Sequence, residues 1–153
     1  MSHSGLLIAQ LAKRAVVPGF LLLMALLPGS VVAAQFIDIE IDSATYRVEL
    51  ARTPAERRQG LMMRQSLDRF SGMLLVYPKL RDHRIWMKNM LIPLRVYWID
   101  SDFNVVGTRR LEPCLQDPCP VYSVSQRSLY VLELSDHGHN LKPGDRIDGL
   151  TDL

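Results

Sequence analysis

The chain has 153 residues, with 18 lysine and arginine side chains against 16 aspartate and glutamate and a formal net charge of +2. The excess sits in the first 34 residues, which hold Lys13 and Arg14 and no acid, so residues 35–153 balance 16 basic groups against 16 acidic ones. A balanced chain lacks the cationic surplus with which nucleic-acid binders displace counterions from phosphate, and it shows no basic amphipathic face for a membrane surface, so neither partner is expected.

At the N-terminus, Lys13 and Arg14 precede an apolar run from Ala15 to Leu27, and Val32, Ala33 and Ala34 stand before Gln35. This three-part pattern predicts a secretory signal over residues 1–34 and a mature chain from Gln35. The run is interrupted by Pro18 and Gly19 and falls short of the roughly 20 residues that span a bilayer. No stable membrane anchor is expected after cleavage, a retained signal anchor being the alternative. No cysteine precedes Cys114, so a lipoprotein signal is excluded. The expected location is the periplasm or the exterior, and residues 35–153 have the length of a single domain.

From Phe36 to Asp42, isoleucines at 37, 39 and 41 alternate with acids at 38, 40 and 42, the period of a half-buried strand. A turn over Ser43–Thr45 leads to a partner strand, Tyr46–Leu50. Thr53, Pro54 and Glu56 form a capping box with a first-turn proline, which predicts a helix over Pro54–Met63 with Gly60 inside it. After a turn at Asp68–Gly72, the segments Met73–Tyr77, Ile85–Lys88, Leu94–Asp100 and Val105–Arg110 read as strands. A polar loop over Glu112–Arg127, a strand over Leu129–Leu134, a loop or short helix over Asp136–Pro143 and a last strand over Arg146–Leu150 complete the chain. The expected fold is mostly β, a compact β-barrel or sandwich of about eight short strands with one helix near its N-terminal side.

Cys114 and Cys119 are the only cysteines, and in an oxidising compartment so close a pair reads as a disulfide that holds one loop. A redox pair would sit in a tighter Cys-x-x-Cys at a helix start. Catalytic and cofactor signatures are missing: there is no nucleophile elbow, zinc-protease helix, phosphate loop or dinucleotide fingerprint. No cofactor is expected. His137 and His139 beside Asp136 could bind a metal, but read first as a solvated turn. Met62, Met63, Met73, Met87 and Met90 could serve Cu(I) in an exported protein, but read first as core filling.

The blocks Ala51-Arg52-Thr53, Gly60-Leu61-Met62, Arg64, Gly72-Met73-Leu74, Trp86-Met87-Lys88-Asn89, Ile92-Pro93-Leu94 and Val131-Leu132-Glu133-Leu134 follow one another along the chain. As a set they resemble the family called domain of unknown function 192, also uncharacterised protein family 0127, over nearly all of residues 35–153. The resemblance implies a mostly β fold and no known activity. Two departures stand out: Arg95 occupies a place where the family usually has Asp, and Ser135–Pro143 looks shorter than the corresponding connection.

Within these blocks, Arg52, Arg64, Trp86, Lys88, Asn89 and Glu133 form the candidate ligand-binding set, with Glu56 nearby. Cationic groups beside an indole suit a small anionic or sugar-like ligand. The competing reading pairs the arginines with Glu56 or Glu133 as structural ion pairs. The expected function is therefore an exported, non-catalytic domain that binds a small polar or anionic ligand or a protein partner. The alternatives are a hydrolase or carbohydrate-acting enzyme using Glu133 and Glu56 and a copper- or zinc-handling protein.

Overall fold

A computed structural model describes residues 33–137, 140–150 and 153; residues 1–32 of the expected signal segment and His139 lie outside the described residues. Phe36–Ile41 (β1) and Ala44–Ala51 (β2) form the expected hairpin, with Ile41 opposite Ala44. Asp42 (φ 51°) and Ser43 (φ 63°) make its two-residue turn. Positive φ at both central residues matches the right-handed twist of the flanking strands, and a short polar aspartate tolerates it better than most residues.

The next helix, Pro54–Gln59 (α1), starts as predicted. Thr53 accepts from the Glu56 backbone N–H, and the Glu56 carboxylate accepts from the Thr53 N–H at 2.8 Å, so each satisfies a free amide. It is shorter than the expected Pro54–Met63. Gly60 does not lie inside it but ends it at φ 48°, its N–H still donating to Glu56 O, and the chain continues as irregular turns through Met63. None of the residues of α1 is buried, and Leu61, fully buried just beyond it, anchors this segment.

Six further strands among the described residues complete the β structure. Ser71–Arg81 (β3), longer than expected, runs parallel to β2 across the α1 crossover. Ile85–Trp86 (β4), Leu94–Ile99 (β5), Val105–Leu111 (β6), Val121–Tyr122 (β7) and Ser128–Ser135 (β8) follow. The large sheet has the order β1-β2-β3-β8-β5-β6, and β4 pairs only with β7, which lies inside the segment expected to be all loop. The expected mostly β fold with about eight strands and one helix is thus observed. Its sheet is open, because β1 and β6 share no ladder, so it is the layered alternative and not the barrel.

Arg146–Leu150 is not a strand. Its backbone groups go to two separate edges: Val105 N–H donates to Asp145 O and Ile147 N–H to Phe103 O on one side, and Glu40 N–H donates to Asp148 O on the other. No continuous ladder can form from such divided partners. At Gly149 (φ 88°) a Cβ would stand 2.7 Å from Asp38 O, so the chain passes β1 where only glycine fits.

The sheet is buried on both faces. On one, Tyr97, Ile99, Leu132 and Leu134 pack with Ile39, Val48 and the C-terminal Leu141, Ile147 and Leu150. On the other, Met73, Leu75, Val96, Trp98 and Val131 pack beneath Leu61, Ile85, Met87 and Met90. Alternation along β8 sends Val131 and Glu133 to the second face, and Leu132 and Leu134 to the first. That alternation places a carboxylic acid in an apolar layer.

Candidate functional site

Glu133 is 6% exposed and lies on the innermost part of the sheet, opposite Met73 on β3 and Val96 on β5. Both cross-strand neighbours are apolar, so the sheet offers it no hydrogen-bond partner, and none engages its carboxyl among the described residues. Gly60 lies over it: a Cβ built there would be 3.6 Å from Glu133 Oε2. The missing side chain at Gly60 leaves the carboxyl open to a cleft of about 320 Å³ between α1 and the 84–90 segment. Burial drives its pKa up to about 7 from an ordinary 4.5, and the positive charge of Arg64 only partly offsets this.

The cleft has apolar walls and a cationic mouth. Leu61, Leu75, Met62, Met87 and Met90 line its sides, Trp86 and Tyr77 supply aromatic surface, and Arg57, Arg58 and Arg84 stand around it. Arg57 is held in place: it donates to Val76 O at 2.8 Å and to Arg52 O, with its guanidinium carbon 4.9 Å from the Tyr77 ring centre. Arg58 and Arg84 are exposed and enter no ion pair among the described residues.

Tyr77 connects the floor to the rim. Its ring stacks on that of His83 at 3.5 Å and 16°, and the His83 carbonyl accepts from Trp98 Nε1 at 2.8 Å. Burial, with the nearby Glu133 charge, pushes the Tyr77 hydroxyl up to about 12, so it remains a hydrogen-bond donor at neutral pH. Burial pushes the His83 ring down, which favours its neutral form.

Of the six residues picked out from the sequence, Trp86 and Glu133 meet in this cleft and four lie elsewhere. Arg52 is exposed ahead of α1, its N–H donating to the Glu56 carboxylate at 2.8 Å. Arg64 pairs with Glu49 at 2.5 Å. Lys88 pairs with Asp117 at 2.6 Å and lies 5.7 Å from the Trp86 ring centre. Asn89, at φ 57°, makes a turn whose N–H donates to Cys114 O and whose carbonyl accepts from Met63 N–H. Glu56 is engaged in the capping box, so the cleft has a single carboxylate among its described lining residues.

Arg57, Arg58, Arg84 and Tyr77 escaped the sequence reading. Tyr77 had a usable signal, since Met73, Leu75 and Tyr77 share one face at period two, the face that also takes Glu133. The arginines had none, because their convergence depends on where the chain turns after Gly60.

Cys114 and Cys119 are joined in a disulfide. It closes the loop that donates to Met87 O from Cys114 N–H and accepts from Asn89 N–H, so the cross-link braces the Trp86 side of the cleft. Arg95, the departure from the family pattern, points to the opposite face of the sheet and pairs there with Asp136, which also binds Arg110. The substitution therefore leaves the Glu133 cleft untouched.

His137 is exposed, and among the described residues no three His, Cys, Asp or Glu side chains gather as a metal site. Met73, Met87 and Met90 are buried in the second core, Met62 is half-buried and Met63 faces solvent. No described helix is long and apolar enough to cross a membrane.

The family model described as DUF192, Uncharacterized ACR, COG1430, matches residues 37–149. The chain belongs to the DUF192 family. Two solved structures resemble this DUF192 protein. One, from Sinorhizobium meliloti 1021, is described as a candidate transcription regulator; it is 29% identical with a TM-score of 0.65, over 76% of this chain and 94% of its own. The other, a protein of unknown function from Novosphingobium aromaticivorans DSM 12444, is 26% identical with a TM-score of 0.60, over 81% of this chain and 91% of its own. No curated protein matches.

Proposed function

We propose that this DUF192 protein is an exported, non-catalytic domain that binds a small polar or anionic molecule in the Glu133 cleft. The observation that carries the reading is a carboxyl 6% exposed, with no hydrogen-bond partner among the described residues, at the floor of a cleft of about 320 Å³. An unpartnered buried acid costs folding stability, and a concave, largely apolar site with a few converging polar groups is where small ligands bind.

The signal-like N-terminus and the Cys114–Cys119 disulfide support a periplasmic or secreted location. The balance of 16 basic and 16 acidic groups after residue 34 supports a small ligand over nucleic acid, whatever the description of the Sinorhizobium relative. A glycosidase-type mechanism would call for a second facing carboxylate, and Glu56 is committed to the helix start.

The test is a thermal-shift screen of residues 35–153 against organic acids, amino acids, sugars and cell-wall fragments, repeated with Glu133→Gln. The reading expects at least one compound to raise the melting temperature of the wild type and to lose that effect in a folded Glu133→Gln variant. If every stabilising compound acts equally on both proteins, ligands bind away from this cleft and the reading fails.

A further inference from the structure

From the charges at the two ends of the cleft, we infer that its ligand is a zwitterion, with an ammonium group on Glu133, an anionic group at Arg58 and Arg84, and an apolar segment between them. The inference rests on the binding reading above and assigns the chemical class of its ligand. Three observations combine in it.

The first is Glu133 itself, buried to 94% and without a partner among the described residues, facing the cleft. A buried carboxylate is satisfied by a charged donor more completely than by a neutral one, because charge-assisted hydrogen bonds are shorter and stronger. The surrounding protein withholds that donor: the flanking residues in the sheet are Met73 and Val96, and Arg64 is turned to Glu49.

The second is the pair Arg58 and Arg84. Both line the cleft, both are exposed, and neither has an ion-pair partner among the described residues. Guanidinium groups stay charged at any physiological pH and favour carboxylate or phosphate oxygens. Arg57 differs, since backbone carbonyls and the Tyr77 ring already occupy it.

The third is the apolar part of the lining. Leu61, Met62 and Met87 with the Trp86 ring offer apolar or aromatic contact, which fits a hydrocarbon stretch. A simple anion would meet Glu133 at the floor, and a simple cation would have to pass the arginines. A molecule carrying both charges, cation inward, meets neither obstacle.

Isothermal titration with matched probe sets tests this. Each set holds a zwitterion with its charges separated by hydrocarbon and its two one-charge analogues: 4-aminobutanoate, butanoate and propylamine; 6-aminohexanoate, hexanoate and pentylamine; 4-(aminomethyl)benzoate, 4-methylbenzoate and benzylamine. In at least one set the zwitterion should bind about tenfold or more tighter than either analogue, the gain expected of one added charge-assisted contact. Glu133→Gln should bring the zwitterion down to the level of the carboxylate, and the double change Arg58→Ala with Arg84→Ala should bring it down to the level of the amine. Circular dichroism checks that each variant is folded.

Carboxylates that bind as well as zwitterions and ignore Glu133→Gln would overturn the inference while leaving the cleft a binding site. Amines that bind as well and ignore the arginine changes would do the same. If no probe binds but sugars or cell-wall fragments stabilise the wild type through Glu133, the ligand class is wrong and the binding reading stands. If no compound of either kind acts through Glu133, both fail.

Discussion

Arg64 and Glu49 form an ion pair at 2.5 Å, and this pairing is what leaves Glu133 without a cationic partner. Arg64 still acts on Glu133 through space, lowering its pKa somewhat, but burial outweighs that effect. An internal salt bridge would have closed the site; the alternative pairing keeps it open.

Arg64→Ala should therefore be mild. The pair is partly exposed, with Arg64 at 39% and Glu49 at 20%, and such pairs contribute about 0–1 kcal/mol. Urea denaturation should show a loss within that range, and ligand binding should survive. A loss of several kcal/mol would mean that Arg64 neutralises Glu133 after all.

The pH dependence of stability has a defined sign. Burial raises the Glu133 pKa in the folded protein from 4.5 to about 7, so between those pH values the folded chain holds a proton that the unfolded chain has released. Stability conferred by the protonated acid is complete below about pH 4.5 and is lost as pH rises through about 7, by up to about 3 kcal/mol. Denaturation from pH 4 to 9 should show this decline on top of any other pH effects. Glu133→Gln should remove that component and make the protein more stable than wild type at pH 8.

Part of this was legible in the sequence, and the division is physical. Local signals survived: the alternation of β1, the Thr53–Glu56 capping box and the pairing of Cys114 with Cys119 each involve residues a few positions apart. What failed depended on the chain's path in space. Gly60 reads as a residue inside a helix, yet at φ 48° it ends the helix, and its lack of a side chain leaves room over Glu133. Arg52, Lys88 and Asn89 share blocks with site residues but lie outside the cleft: the Lys88 side chain pairs with Asp117, and the backbone N–H groups of Arg52 and Asn89 donate to the Glu56 carboxylate and to Cys114 O. The Arg52 contact is local, but nothing in the spacing reveals the partners of Lys88 and Asn89, because they come from the 114–119 loop, about 25 residues further along the chain.

Gly72→Ala should be severe. A Cβ there would stand 2.3 Å from Glu133 O and 2.5 Å from Leu134 Cδ2, and the backbone oxygen of a central strand cannot yield. Forced overpacking of this kind costs about 1–3 kcal/mol and sometimes more, and here the upper end is expected. A melting temperature equal to that of wild type would show that β3 and β8 are farther apart than described.

Replacing both cysteines by serine should cost about 2 kcal/mol, the chain-entropy value for so short a loop. Because Cys114 is bonded to the backbone at Met87 and Asn89, the change should also weaken ligand binding by loosening the Trp86 wall. A variant with unchanged affinity and lower stability would restrict the disulfide to holding its own loop.

The most direct measurement is the titration of the Glu133 carboxyl by carbon-13 NMR in protein labelled at glutamate, with Glu133→Gln assigning the signal. A buried, unpartnered acid requires a midpoint near 7, as burial sets it. A midpoint at or below 4.5 would mean that the carboxyl has a cation or a full set of hydrogen bonds within the protein, and that the cleft holds no unpartnered acid to receive a ligand.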